Sequence, residues 1–195
     1  DTRIELVTPI AGGGFALTDQ RGHRYGSDRV IICAGLGAMK LAPQLGFHTR
    51  VRPQRGELLI TEKLGTPLPF LSSTIRQVNE GGIQIGGTKA EAGLDDSDTL
   101  EKTARLAQHA VDVMPALEDL RVLRSWGALR IMTDDGYPVY AQSPDQPGAY
   151  LITCHSGVTL ASNHATALAK WINGSADAPN LEAFDDHRFS ISPAT

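Results

Sequence analysis

GAYLITCHSGVTLASNHATALAKWING, residues 148–174, changes period in its middle. Residues 148–154 form an apolar run with the character of a β-strand. His155-Ser156-Gly157 breaks that run, and a helix is expected from about Gly157 to Asn173, with Gly174 as its C-cap. At such a strand–turn–helix junction the first N–H groups of the helix lack partners, and its positive dipole end favours an anion. The plainer alternative is an ordinary turn with Ser156 as the cap.

Upstream, RIELVTPI (3–10) and GFALTD (14–19) read as two strands of a meander around Gly12-Gly13-Gly14. RVIICAG (29–35) reads as a strand buried on both faces, ending in small residues at Ala34-Gly35 that admit a close approach. A short helix over 38–46 is interrupted at Pro43 and stopped at Gly46. HTRVRPQRGELLITE (48–62) is a long extended segment. FLSSTIRQV (70–78) and IQIGGT (83–88) form a hairpin around 79–82. A helix follows, with Asp98 as cap, Glu101 as its capping-box partner and Pro115 at its end. Leu100, Ala104, Ala107, Val111 and Met114 form its apolar stripe. Strands are expected at 121–133 and 148–154. The fold class is α+β, with more strand than helix.

The 195 residues are 41% hydrophobic and 21% charged, enough for one or two small domains with a real core. A formal net charge of −4 without a long basic block argues against nucleic acid as a partner. No apolar run approaches the length of a transmembrane segment. Cys33 and Cys154 suit two reduced buried thiols in a cytoplasmic protein, with a disulfide as the alternative; no metal site is expected. The chain opens at Asp1 directly into strand-like sequence, and reads as part of something longer. It holds no G-x-G-x-x-G, P-loop or H-E-x-x-H pattern.

Three runs, in this order, resemble the FAD-dependent amino-acid and amine oxidoreductases of the D-amino-acid oxidase superfamily. They are RVIICAGLGAMKLAPQLG with VRPQRGELLITE, then IQIGGTKAEAGLDD leading to PALEDLRVLRSWGALRIMTDDGYPVY, then GAYLITCHSGVTLASNHATALAKWING ending in LEAFDDHRF. The CHSGVTLA form is similar to that of hydroxyproline dehydrogenases, opine oxidases and hydrogen cyanide synthase subunits. The resemblance implies roughly the C-terminal half of such a protein: residues 1–46 and 131–195 from an α/β FAD-binding domain, and 47–130 from a substrate domain with a mixed or antiparallel sheet and a covering helix. The dinucleotide-binding βαβ unit of the family lies upstream of anything present here, so the fragment is expected to be inactive alone.

In the family an arginine in G-L-R-P-x-T-x-D-G-x-P binds the substrate carboxylate. The matching run is Ala128-Leu129-Arg130-Ile131-Met132-Thr133-Asp134-Asp135-Gly136-Tyr137-Pro138, so the role passes to Arg130, with Ile131 where proline is common. A guanidinium suits a carboxylate because it offers two parallel charge-assisted hydrogen bonds. The alternative is an arginine that snorkels or pairs with Asp134 or Asp135. Cys154, His155, Ser156, Gly157, Val158, Thr159 and Leu160, with Ala34 and Gly35, match the segments that line FAD. His155 is either a second substrate contact or a satisfied hydrogen-bonder. No catalytic acid or base is assigned. Arg52 and Arg55 add positive field or sit on the surface, and His187-Arg188 reads as a surface helix or tail.

The implied activity is oxidation of the C–N bond of a small amino or imino acid, with hydride transfer to FAD. A partner subunit or a separate electron acceptor is implied too. The location expected is the cytoplasm, or the periphery of the inner membrane. The competing class is a non-catalytic carboxylate-binding or subunit-interface module of a larger complex.

Overall fold

A computed structural model describes residues 1–70 and 72–189. Leu71, inside the expected first strand of the hairpin, lies outside the described residues. The chain divides into two compact units. One holds Asp1–Arg52 with the described residues from Ile131 onward, the other Pro53–Arg130.

In the first unit, β1 (Ile4–Pro9), β2 (Phe15–Asp19) and β3 (Arg24–Ser27) form an antiparallel meander. A second sheet has the order β4 (Val30–Ile32), β10 (Ala149–Thr153), β9 (Val139–Gln142). β10 runs parallel to β4 and antiparallel to β9. Burial on both faces, expected of RVIICAG, belongs instead to β10, all of whose residues are buried. β4 is an edge strand: Val30 and Ile32 face the core while Ile31 is 43% exposed. β9 has no counterpart among the expected strands, because its four residues are too few for a period to show.

After β4 the chain makes short helical turns, Gly35–Gly37, α1 (Ala38–Leu41) and Ala42–Leu45, and stops at Gly46 with φ +82°. Phe15, Val30, Ile32, Leu45, Val139 and Leu151 pack into this unit's main core. The last helix is one rod in three parts: α3 (Ala161–Asn163), a π turn (His164–Leu168) and α4 (Ala169–Ile172). Gly174, φ +69°, follows it, where a left-handed residue ends a helix. Leu168, Trp171 and Ile172 of the rod pack with Tyr140 and Ile152.

The second unit holds all but the first two residues of β5 (Val51–Lys63) and the last three of β8 (Val122–Thr133) in a four-stranded sheet with β6 (Ile75–Gln77) and β7 (Gly82–Gly86), in the order β6-β7-β5-β8. β6 and β7 are the expected hairpin. α2 (Leu100–Val113) covers the sheet. Its cap is Thr99, not Asp98, because the buried Glu57 carboxylate accepts the Thr99 N–H at 2.9 Å. Asp98 instead accepts from Ser125, and Glu101 pairs with Arg105 rather than reaching back. The buried stripe is correspondingly rotated: Leu106, Ala110 and Met114 face the core, while Leu100 is 87% exposed.

Candidate active site

Arg130 lies near the end of β8. Its Nη1 donates to the Thr88 carbonyl at 2.9 Å, and Thr88 Oγ1 accepts the Glu57 N–H at 2.9 Å. The residue is half-buried and has no carboxylate partner among the described residues. The guanidinium rests over two glycines. A Cβ on Gly56 would come within 2.5 Å of Cζ, and one on Gly87 within 2.8 Å of Nη2. Neither Asp134 nor Asp135 takes Arg130. Asp135 is held by Arg188, whose Nε donates to Oδ2 at 2.7 Å.

The neighbouring arginine behaves differently. Arg55 is 6% exposed, and its Nη1 donates to Asp95 Oδ2 at 2.5 Å. Its Nε lies 3.4 Å from Glu57 Oε1, and Lys102 Nζ lies 3.7 Å from the same oxygen. Its charge is paired with the buried Glu57 and the exposed Asp95, so it is neither a surface arginine nor an open source of field. Arg52 is exposed.

In the first unit, Cys154 is buried at the end of β10, and burial pushes its thiol pKa up, so it stays protonated at neutral pH. Cys33 is exposed, against expectation, because β4 is an edge; neither cysteine forms a disulfide. The chain then surfaces. His155, Ser156, Gly157, Val158 and Thr159 are all exposed, Val158 at 95%. The Leu160 N–H donates to the Ser156 carbonyl at 3.0 Å, so helical bonding begins in this turn although the regular helix starts only at Ala161. The N–H groups of Gly157, Val158 and Thr159 have no acceptor among the described residues. Ser156 does not cap the helix; its Oγ lies 3.2 Å from His155 Nδ1. Gly35 adopts φ +57° with Ile131 Cδ1 3.1 Å from where a Cβ would be, so a side chain there meets strain and a neighbour.

Beside this turn is a cavity of about 680 Å³ whose lining includes Tyr137, Tyr140, His155, Ser156, Thr159 and His164, a size usual for small-ligand sites. Tyr140 Oη lies 2.8 Å from His164 Nε2, at the start of the π turn. The two residues lie in separate runs of the sequence, 24 positions apart, and no spacing pattern links them as a pair. Among the described residues no group of three or more His, Cys, Asp or Glu could hold a metal ion, and no helix is long and apolar enough to cross a membrane.

The described residues thus hold a strand–turn–helix junction with open N–H groups and, on the four-stranded sheet, an arginine without an acidic partner. Similarity to known proteins specifies the family. The family model for FAD dependent oxidoreductases (DAO) matches residues 2–171, and the chain belongs to that family, whose cofactor is FAD. An opine oxidase subunit of Rhizobium meliloti is 41% identical over 194 residues, 98% of this chain and 51% of the relative. The hydrogen cyanide synthase subunit HcnC of Pseudomonas protegens is 28% identical, over 84% of this chain and 41% of its own length. Glycine oxidase from Geobacillus kaustophilus has the same fold, with a TM-score of 0.85 at 22% identity, covering 94% of this chain and 51% of that structure. The chain thus spans about half the length of the curated relatives it matches.

Proposed function

We propose that this chain is part of a flavoenzyme that oxidises the C–N bond of a small amino or imino acid, and that Arg130 binds the substrate carboxylate. The observation that carries the reading is a half-buried arginine fixed by one backbone carbonyl and answered by no acid among the described residues. Its remaining N–H groups suit two parallel hydrogen bonds to a carboxylate. Arg55, already ion-paired with Glu57 and Asp95, does not suit that task.

Ala34, Gly35 and the segment Cys154–Leu160 are the residues proposed to line FAD. The three N–H groups over 157–159 fit the electron-rich edge of a flavin ring, where donors stabilise negative charge. When bound, FAD supplies the hydride acceptor. The chain's own tasks are then to hold the carboxylate, orient the Cα–H and supply those donors. His155, exposed beside Ser156, is proposed as a second substrate contact. A partner subunit is part of the proposal, because two relatives are themselves named as subunits.

In the whole protein, Arg130→Ala should cost about 3–5 kcal/mol of kcat/KM with an amino-acid substrate. Steady-state kinetics and anaerobic flavin reduction measure it. Unchanged constants would remove Arg130 from the site.

A further inference from the structure

We infer that Gly56 and Gly87 are positioning residues, forming a side-chain-free seat that holds the Arg130 guanidinium in its carboxylate-binding pose. This rests on the assignment of Arg130 as the carboxylate ligand. The two glycines come from separate places in the sequence, one within β5 and one just after β7. Both meet the same group: Gly56 underlies Cζ, Nη1 and Nη2, while Gly87 underlies Nη2. Neither has a backbone angle that demands glycine, since no left-handed φ occurs at either position. The requirement comes from the space the guanidinium takes, not from the backbone.

The seat is braced. Thr88 follows Gly87 and Glu57 follows Gly56; the Glu57 N–H donates to Thr88 Oγ1, and the Thr88 carbonyl accepts from Arg130 Nη1. Glu57 is fully buried and anchored by Thr99, Arg55 and Lys102. The floor under the guanidinium is thus tied to the interior of the sheet, while the guanidinium itself is the end of a flexible side chain. A methyl group at position 56 is relieved most cheaply by displacing Arg130, with no need to move the sheet. Such a substitution should spare the fold and spoil the pose. A displacement on the order of 1 Å is enough to lose a pair of aligned hydrogen bonds, and shifts of that size cost up to about 100-fold.

The test uses the whole flavin-loaded protein with acetate, a carboxylate that has no amine, as the probe, and calorimetric titration as the readout. Gly56→Ala should weaken acetate about 10- to 100-fold and raise KM for an amino-acid substrate more than it lowers kcat. Gly87→Ala, which meets Nη2 alone, should give a smaller loss. Gly26→Ala, whose Cβ would meet nothing within 4 Å, is the control. Melting temperatures should stay within about 3 °C of the parent. Weakened binding in Arg130→Ala with normal binding in Gly56→Ala overturns the seat alone. Normal acetate binding in Arg130→Ala overturns the carboxylate assignment and the seat with it. Equal losses in Gly26→Ala and Gly56→Ala also overturn the seat. Should Gly56→Ala fail to fold, normal affinity in Gly87→Ala overturns it.

Discussion

Arg130 and Asp135 lie close in the sequence, which leaves open whether they pair. Arg188 settles the matter by taking Asp135: it donates to both carboxylate oxygens and to the Tyr137, Pro138, Phe184 and Asp185 carbonyls. A residue that reads as part of a surface tail is therefore a clip between the 135–138 turn and the C-terminal segment. Arg188→Ala should destabilise by about 1–3 kcal/mol, as read by urea unfolding, because several carbonyls lose a charged donor. The Arg188 hydrogen bond holds the Asp135 pKa below its ordinary value. A carboxyl with a depressed folded pKa contributes stability above its unfolded pKa and loses it as pH falls through the folded one. Urea midpoints should therefore fall as pH drops below about 4, and Asp135→Asn should flatten that dependence.

At the scale of elements, periodicity finds most strands and both principal helices but misplaces what buried charge decides. The apolar spacing starts the α2 stripe at Leu100, yet Glu57 fixes Thr99 as the cap and turns Leu100 outward. A carboxylate buried 42 positions upstream of that cap leaves no trace in the helix's own pattern. Glu57→Ala would strand Arg55 and Lys102 without that partner, and should cost about 3–5 kcal/mol in urea unfolding. The junction after β10 is legible as strand, turn and helix because its residue types switch abruptly. Its regular helix nevertheless begins at Ala161, later than Gly157, and the π turn at His164–Leu168 has no local signal. Gly157→Val should weaken FAD retention in the whole protein, as measured by flavin absorbance per chain after gel filtration; unaltered occupancy would count against the flavin-facing turn.

At the scale of the molecule, the first unit takes its residues from both ends of the chain and the second from the middle. The motifs of the sequence fall on both units: Ala34-Gly35 and Cys154–Leu160 on the first, Arg130 with Arg-Gly-Glu and Gly-Gly-Thr on the second. The whole protein should show flavin bands near about 375 and 450 nm, and the longer one should bleach anaerobically with a suitable amino acid. A colourless protein would sink the enzymatic proposal.

The sequence by itself determined the family, the α+β class and the residues worth testing, because strand and helix periods and the order of short motifs are local properties of the chain. Only the tertiary structure decided which arginine keeps an open guanidinium. Arg55 and Arg130 are equally cationic in the sequence, and which one meets a buried acid depends on residues from separate strands and loops. The glycines beneath Arg130 belong to two strand regions far apart in the chain, and no local pattern could say that they share one neighbour.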